Sequence, residues 1–480
     1  MPAPLWTSAD IEAVTGGLAD AAFACSGLSI DTRSLMPGDL FVALKDVRDG
    51  HDFVPAAFDA GAAGAVVSRP AGGRAELRVD DVLDALTALA VAARARSDAT
   101  RTAITGSVGK TSVKEMLARI YRAAGPAHWP EKSFNNHWGV PLTLARMPQE
   151  TQRAVFEIGM STPGEIAPRS KLVRPHHAMI TKIAPAHLEG VGSIEGVADE
   201  KSDIFAGLEA GGTILLPADD VFRERMEQRA REYCPTATVE TFGTSEGAIA
   251  RVTGYQSDGQ TSVIDVSVVG RTARVAINAV GEHWAVNVAS ALLMATRTGI
   301  SLADASGALT GYTPPPGRGV AEALHLPGGG TALLVDDSYN ANPESMRAAL
   351  AGLAARKGNR RIVALGEMLE IGANSEAEHA GLAGAVEAAR ADAAFLAGEG
   401  MRALDAALPG TIQKRWSVKA LDLSTELKNH LQNGDIVLIK GSNASGMHLL
   451  ADALRQWSVA AEQRVMGRED TRVAGVDNDL

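Results

Sequence analysis

The sequence predicts an α/β protein of three domains: a small N-terminal α/β domain, a central P-loop ATPase-like parallel sheet with an antiparallel patch, and a C-terminal Rossmann-like doubly wound domain. Three observations lead there. Short apolar runs alternate with helical stretches along most of the chain, a glycine turn opens a helix directly after the run TAIT, and a triple proline interrupts the alternation at YTPPPGRG. With 480 residues, the chain has room for about three domains of ordinary size.

Near the N-terminus, LFVAL (40–44) and GAVV (64–67) read as strands, and DGHDFVPAAFDAGAA between them is helical in composition. An Ala/Leu-rich helix over 81–96 then leads into the strand TAIT (102–105). The runs AVFEI, AMITKI and TILLP follow, separated by helical stretches, which predicts parallel strands joined by crossover helices. Over 237–277 the pattern changes. There VETF, RVTGY, TSVIDVSVV and RVAI succeed one another with only turn residues between them, the pattern of an antiparallel patch. At 312–319 the prolines of YTPPPGRG exclude both helix and central strand, so this segment is the linker. Beyond it come ALLVDD, a helix from about 344, RIVALG, a helix from about 376, AAFLAG, and DIVLIKGS followed by a helix. The expected division is 1–82, 83–313 and 314–458, with 459–480, charged and without periodicity, as a frayed tail.

Composition removes several classes of function. The formal charge is −11 and no long Lys/Arg run occurs, so no nucleic-acid partner is expected. Cys25 and Cys234 are far apart and in no metal-ligand spacing, which argues against a disulfide framework or a cysteine zinc site. Asp10 and Glu12 fall where a signal peptide needs a basic start and an apolar stretch. No apolar run reaches the roughly 18 residues of a membrane span. A cytoplasmic, monomeric protein without membrane insertion is the expectation.

The strongest chemical signal is AITGSVGKTSVKE. A strand runs into Gly106, Ser107, Val108 and Gly109, and a helix begins near Lys110. Glycines let backbone N–H groups close on phosphate oxygens, the helix N-terminus adds positive charge, Lys110 reaches the outer phosphates, and Thr111, followed by Ser112, offers a hydroxyl to Mg2+. The longer form of this loop has a glycine at position 104, where this chain has Ile104. Glu157 ends the apolar strand AVFEI, and a carboxylate there, beside a phosphate loop, suits a metal. His187 and Lys201 carry no such signal by themselves; a structural histidine and a solvated helix lysine remain equally good readings.

The set DTRSLMPGDLFVAL, DGHDF, TGSVGKTSVKE, FNNHWGVPLTL, FEIGM, AHLEGVGSIEGVADEK, GEHWAVNVASA, PPGRG, DDSYNANPESM, LGEMLEIG and KGS resembles the Mur ligases, in order from about residue 30 to 450. DDSYNANP and LGEMLEIG favour the branch that adds D-alanyl-D-alanine. The resemblance implies that ATP phosphorylates the carboxylate of UDP-N-acetylmuramoyl-tripeptide and that the amine of D-alanyl-D-alanine attacks the acyl phosphate. It implies that His187 helps bind a second Mg2+ and that Lys201 is carried as a carbamate. Asn287 would lie near adenine, Arg318 would swing toward the phosphates, and Asp337 would contact the ribose. Asn340 and Asn342 would lie near the dipeptide and nucleotide. Asp31, Thr32, Arg33 and Ser34, with Asp49, Gly50 and His51, match the uridine-nucleotide side, and Asn135 and Asn136 the loop facing the muramoyl peptide. Two departures stand out: Lys132-Ser133-Phe134 precedes those asparagines where the family often has GNx, and Trp284 follows His283 where it often has asparagine, so that an aromatic ring could pack adenine. A sister Mur ligase adding another amine and a folylpolyglutamate-synthetase-like ligase remain as alternatives. A nucleotide-binding regulator without ligase chemistry is a third.

Overall fold

Among the described residues, three sheets of five, nine and six strands follow one another along the chain, beside a two-stranded pair near the N-terminus. The computed structural model describes residues 3–185 and 188–473, with side chains for all of these except 188 and 464–473. The five-stranded sheet runs Leu18–Ala19, Glu76–Arg78, Gly64–Val67, Asp39–Val42, Gly27–Ser29, parallel except at the first pair. The runs LFVAL and GAVV supply its two interior apolar strands, and both are buried because helices cover their faces.

In the nine-stranded sheet, Thr100–Thr105 lies between His177–Ile180 and Arg153–Glu157, all parallel. Their carboxyl ends therefore deliver the glycine loop, Glu157 and Thr181 to one edge, where a parallel α/β sheet presents side chains to a ligand. Helices Lys110–Ala124 and Glu282–Arg297 bury their apolar sides against one face of the sheet. Helices Ile166–Val173 and Ile194–Ser202 bury theirs against the other.

One strand departs from the sequence reading. Thr238–Gly243, which contains VETF, is parallel to both of its neighbours and is not part of the antiparallel patch. Helix Arg223–Tyr233 connects it to Thr213–Pro217 and supplies the crossover that parallel pairing requires. Antiparallel pairing begins only with the meander Ala250–Ser257, Ser262–Val268, Arg271–Ile277.

The six-stranded sheet has the order Val320–His325, Thr331–Asp337, Ile436–Lys440, Arg361–Gly366, Ala393–Ala397, Gln413–Ser417, and only its first strand is antiparallel. Both edge strands, VAEALH and QKRWS, escape the sequence reading because they are polar and half-buried. A second correction concerns the chain's end. The helix Met447–Val473 covers residues 459–473 of the segment expected to be frayed, 459–480, whose last residues, 474–480, lie outside the described ones. It rides on the edge strand, where Ser458 Oγ accepts the His325 N–H at 2.7 Å and Ala461 is buried. Among the described residues, no helix is long and apolar enough to cross a membrane.

Candidate active site

A cleft of about 720 Å³ opens between the carboxyl edges of the nine- and six-stranded sheets. The turn Gly106–Gly109 forms its floor, with both glycines at positive φ, 148° and 85°. A Cβ at Gly106 would fall 2.0 Å from Thr181 Oγ1, and one at Gly109 would fall 3.0 Å from Asn287 Oδ1, so only glycine admits this close approach. The neighbouring strand clamps the turn. Ser107 N–H donates to Lys182 O at 2.8 Å, Ser107 Oγ donates to Ala184 O at 2.8 Å, and Thr181 Oγ1 donates to Val108 O at 2.5 Å.

Helix Lys110–Ala124 starts at Gly109 with no side-chain cap and no acidic residue in its first turn. Its first N–H groups and its positive end therefore face the cleft, ready for an anion. Lys110 Nζ folds back onto Gly106 O at 2.5 Å. Burial pushes its ammonium below the ordinary lysine range; Glu157 opposes that shift and Arg318 adds to it.

Thr111 Oγ1 donates to Glu157 Oε2 at 2.8 Å, and Asn135 Nδ2 donates to Glu157 Oε1 at 2.8 Å. Arg318, from the proline-rich linker, donates through Nη2 to Thr111 Oγ1 at 2.9 Å and stacks 3.9 Å from the Tyr339 ring centroid. Its buried Nε has no hydrogen-bond partner among the described residues. On the facing sheet, Lys440 Nζ bonds Asp337 Oδ2 at 2.7 Å and Asn340 O at 2.9 Å. Burial raises the Asp337 carboxyl and Lys440 holds it down.

Lys201 lies outside the cleft lining, 1% exposed, and its ammonium is driven well below the usual range, first by burial and then by the charge of Lys110. His187 lies outside the described residues. Asn342 reaches the cleft but spends its side chain capping helix Pro343–Ala354, accepting Ser345 N–H at 2.8 Å. Asn136 likewise accepts Gly139 N–H at 2.8 Å. Ser112 lines the cleft and is buried.

The N-terminal residues form a separate group that does not line this cleft. Asp31 pairs with Arg33 at 2.7 Å in the turn that also holds Thr32 and Ser34, and hydrogen bonds from Arg33 lower its carboxyl to about 2. Asp49 accepts from His51 Nδ1 at 2.6 Å and from Arg69 at 3.1 Å. A Cβ at Gly50 between them would fall 2.4 Å from Leu44 O. The loop around Phe134 links this unit to the cleft: Phe134 packs into the N-terminal core under Arg146, while Asn135 holds Glu157.

Residues 104–295 match the Mur ligase middle domain, and residues 325–443 match the Mur ligase, glutamate ligase domain. The UDP-N-acetylmuramoyl-tripeptide--D-alanyl-D-alanine ligase of Escherichia coli is 34% identical, over 92% of this chain and 96% of that one. The ligase of the same name from Bacillus subtilis is 32% identical, over 91% and 95%. The chain belongs to the Mur ligases, on the branch of these relatives. The crystal structure of MurF from Acinetobacter baumannii superposes on this Mur ligase with a TM-score of 0.80 at 29% identity, over 94% of this chain and 99% of that one.

Several residues of the Mur ligase cleft were not singled out from the sequence. Thr181, Lys182, His283, Tyr339 and Lys440 all line it. Lys440 alone carried a usable signal, as the one charge ending the buried run IVLIK. Trp284 shows the converse. It reaches the cleft wall, but the ring is 4% exposed and packed in the core against Tyr312. The indole is therefore committed to the core.

Proposed function

We propose that this Mur ligase uses ATP to join D-alanyl-D-alanine to UDP-N-acetylmuramoyl-tripeptide, giving UDP-N-acetylmuramoyl-pentapeptide, ADP and phosphate in peptidoglycan precursor synthesis. The carrying observation is the cleft itself. An uncapped helix start and a glycine turn lie beside Glu157, facing Asp337 and Lys440 across the gap, in a chain that aligns over 92% of its length with a ligase of that name.

Bound phosphates would lie against the first turn of helix Lys110–Ala124, and Lys110 would exchange the Gly106 carbonyl for a phosphate oxygen. Its task is charge neutralisation, because phosphoryl transfer asks more for positioning than for covalent help. The substrate carboxylate takes the phosphoryl group, and the dipeptide amine then displaces phosphate from the acyl carbon. Gly106, Ser107, Val108, Gly109 and Ser112 shape the phosphate floor. Asn287, against Gly109, and Asp337 fit the adenine and ribose ends, and Arg318 is poised over Thr111.

Thr111 and Glu157 fit Mg2+: two hard oxygen donors in hydrogen-bond contact on the cleft wall. Mg2+ keeps phosphate and water ligands, so two protein oxygens suffice to hold it at such a site. When bound, Mg2+ neutralises phosphate charge. We assign Lys201 as the carbamate site and, from the motif AHLEG, His187 as a ligand of a second Mg2+. Carbamylation needs a neutral amine, and burial next to Lys110 favours one. The turn Asp31–Ser34 with Asp49, Gly50 and His51 is assigned to the uridine nucleotide, Asn135 and Asn136 to the muramoyl peptide, and Asn340 and Asn342 to the dipeptide side. Domain boundaries after 82 and 313 accompany this reading, as does a cytoplasmic location, supported by two free, buried cysteines.

ADP release across candidate amines, with and without the UDP-muramoyl peptide, tests the proposal. Release that depends on both that peptide and D-alanyl-D-alanine is expected; release stimulated equally by any amine, or without the peptide, overturns it.

A further inference from the structure

Polar contacts across the cleft tie the C-terminal sheet unit to the central one, and each has a different character. Arg318 Nη2 reaches Thr111 Oγ1 from the linker. Arg356, buried, donates to Gly259 O at 3.1 Å, at the turn of the antiparallel meander. The third contact joins two opposite charges at the cleft mouth: Lys182 Nζ meets Glu344 Oε1 at 2.5 Å. Lys182 is 46% and Glu344 40% exposed in their side chains, so water reaches the pair.

The position of each partner gives this ion pair mechanical meaning. Lys182 follows the strand His177–Ile180, and its own carbonyl accepts the Ser107 N–H of the phosphate turn at 2.8 Å. Glu344 sits in the first turn of helix Pro343–Ala354, fixed by the Asn342–Ser345 capping box and favoured there by the helix dipole. One residue thus holds the phosphate turn through its backbone and the C-terminal unit through its side chain. Asp220, whose carboxylate accepts Ile183 N–H at 2.8 Å, lies close enough for both Lys182 and Glu344 to act on its charge, so a second carboxylate neighbours the pair.

We propose that Lys182 and Glu344 form an electrostatic latch, a positioning pair that sets how far the C-terminal unit closes over the nucleotide. The proposal rests on the ligase reading for its kinetic consequence, but its geometric consequence is independent of that reading. An exposed pair is weak, so the latch biases an equilibrium and does not lock it; breaking it shifts open against closed by roughly two- to fivefold.

The test is charge reversal in the full-length chain. Lys182→Glu and Glu344→Lys are made singly and together, each also in a background with spin labels on Glu246→Cys and Glu399→Cys. These are exposed positions on the two units, in a chain whose own cysteines, Cys25 and Cys234, are buried. Each single reversal is expected to broaden and lengthen the label distance and to raise KM for ATP about fivefold, with a smaller change in kcat. The double reversal restores both to near the parent values. Parent KM for ATP rises with ionic strength, and that dependence weakens in Lys182→Met/Glu344→Gln. Additive defects in the double reversal, or single reversals that leave the distance unchanged, overturn the latch. A parent protein that releases no ADP with the proposed substrates, while the distances still follow the charges, overturns the ligase reading and leaves the latch standing.

Discussion

Thr111 Oγ1 and Glu157 Oε2 lie 2.8 Å apart, joining the first turn of the phosphate-loop helix to the end of the adjacent strand. The other carboxylate oxygen is held by Asn135 Nδ2 at 2.8 Å, so the protein's own groups orient Glu157 from both sides. Asn135 would therefore act on the metal through Glu157, as an outer hydrogen-bond partner. Asn135→Ala is expected to raise the Mg2+ concentration needed for half-maximal ADP formation by roughly tenfold, the usual loss when such a partner is removed. Mg2+ titration of the variant at saturating ATP checks this; an unchanged titration midpoint would remove Asn135 from the account.

Lys110→Ala should leave the protein folded and lower turnover about a hundred- to a thousandfold, because the ammonium's contribution is to charge developing in the transition state. Among the described residues its Nζ bonds a single loop carbonyl, so little native structure depends on it. Rates at saturating substrate, with circular dichroism as the folding control, decide the matter. Near-normal turnover in a folded variant would refute the phosphate-loop assignment.

The phosphate turn and Glu157 were legible in the sequence because each is defined locally: two glycines and GKT between a strand and a helix, and a carboxylate closing an apolar run. Lys182 was not. Its importance comes from His177–Ile180 lying next to Thr100–Thr105 in the sheet and from a partner 162 residues away, neither of which a linear pattern carries. The same reason hid Thr181, whose hydroxyl holds Val108 O. At the level of the fold, the buried parallel strands were legible as apolar runs, whereas VAEALH and QKRWS were not, since an edge strand buries little and needs no apolar run. The start of the expected tail was not legible as helix because it packs on one of those edges through Ser458 and Ala461, a contact that no linear pattern carries.

Acid should weaken the fold through half-buried neutral histidines. Desolvation lowers His128 and His177, both half-buried, to about 4 each, from an ordinary 6.5. The unfolded chain therefore binds protons that the native one refuses. The stabilisation is complete above pH 6.5 and is lost as the pH falls toward 4. His128, whose Nε2 meets Thr143 O at 2.6 Å, is the simplest to replace, and His128→Gln should flatten the pH dependence by at most about 3 kcal/mol between pH 7 and 4. Urea unfolding at several pH values measures the slope. A variant as acid-sensitive as the parent would show that His128 already titrates normally.

The amine preference follows from the proposed reaction. D-alanyl-D-alanine should stimulate ADP release when UDP-muramoyl-tripeptide is present, and free L-amino acids or meso-diaminopimelate should not. Stimulation by meso-diaminopimelate would move the chain to a sister Mur ligase, with the phosphate machinery unchanged.

Lys201 separates two chemistries that predict opposite responses to anions. The residue is buried, and both burial and the Lys110 charge favour the neutral amine that attacks CO2, giving a carbamate and a released proton. A carbamate would place a carboxylate-like anion near Lys110 and the phosphate site, whereas a bare ammonium there would be a second cation beside the first. Lys201→Ala should then abolish most activity under the first reading, and acetate or formate should restore part of it by occupying the vacated space. The second reading predicts no rescue by any anion. ADP formation by Lys201→Ala across a carboxylate series at fixed ionic strength distinguishes them, with intact-protein carbon-13 NMR in labelled bicarbonate as an independent look at the parent. Activity that is indifferent to carboxylate, together with no carbamate resonance, would refute the modification and leave Thr111 and Glu157 as the metal donors of this cleft.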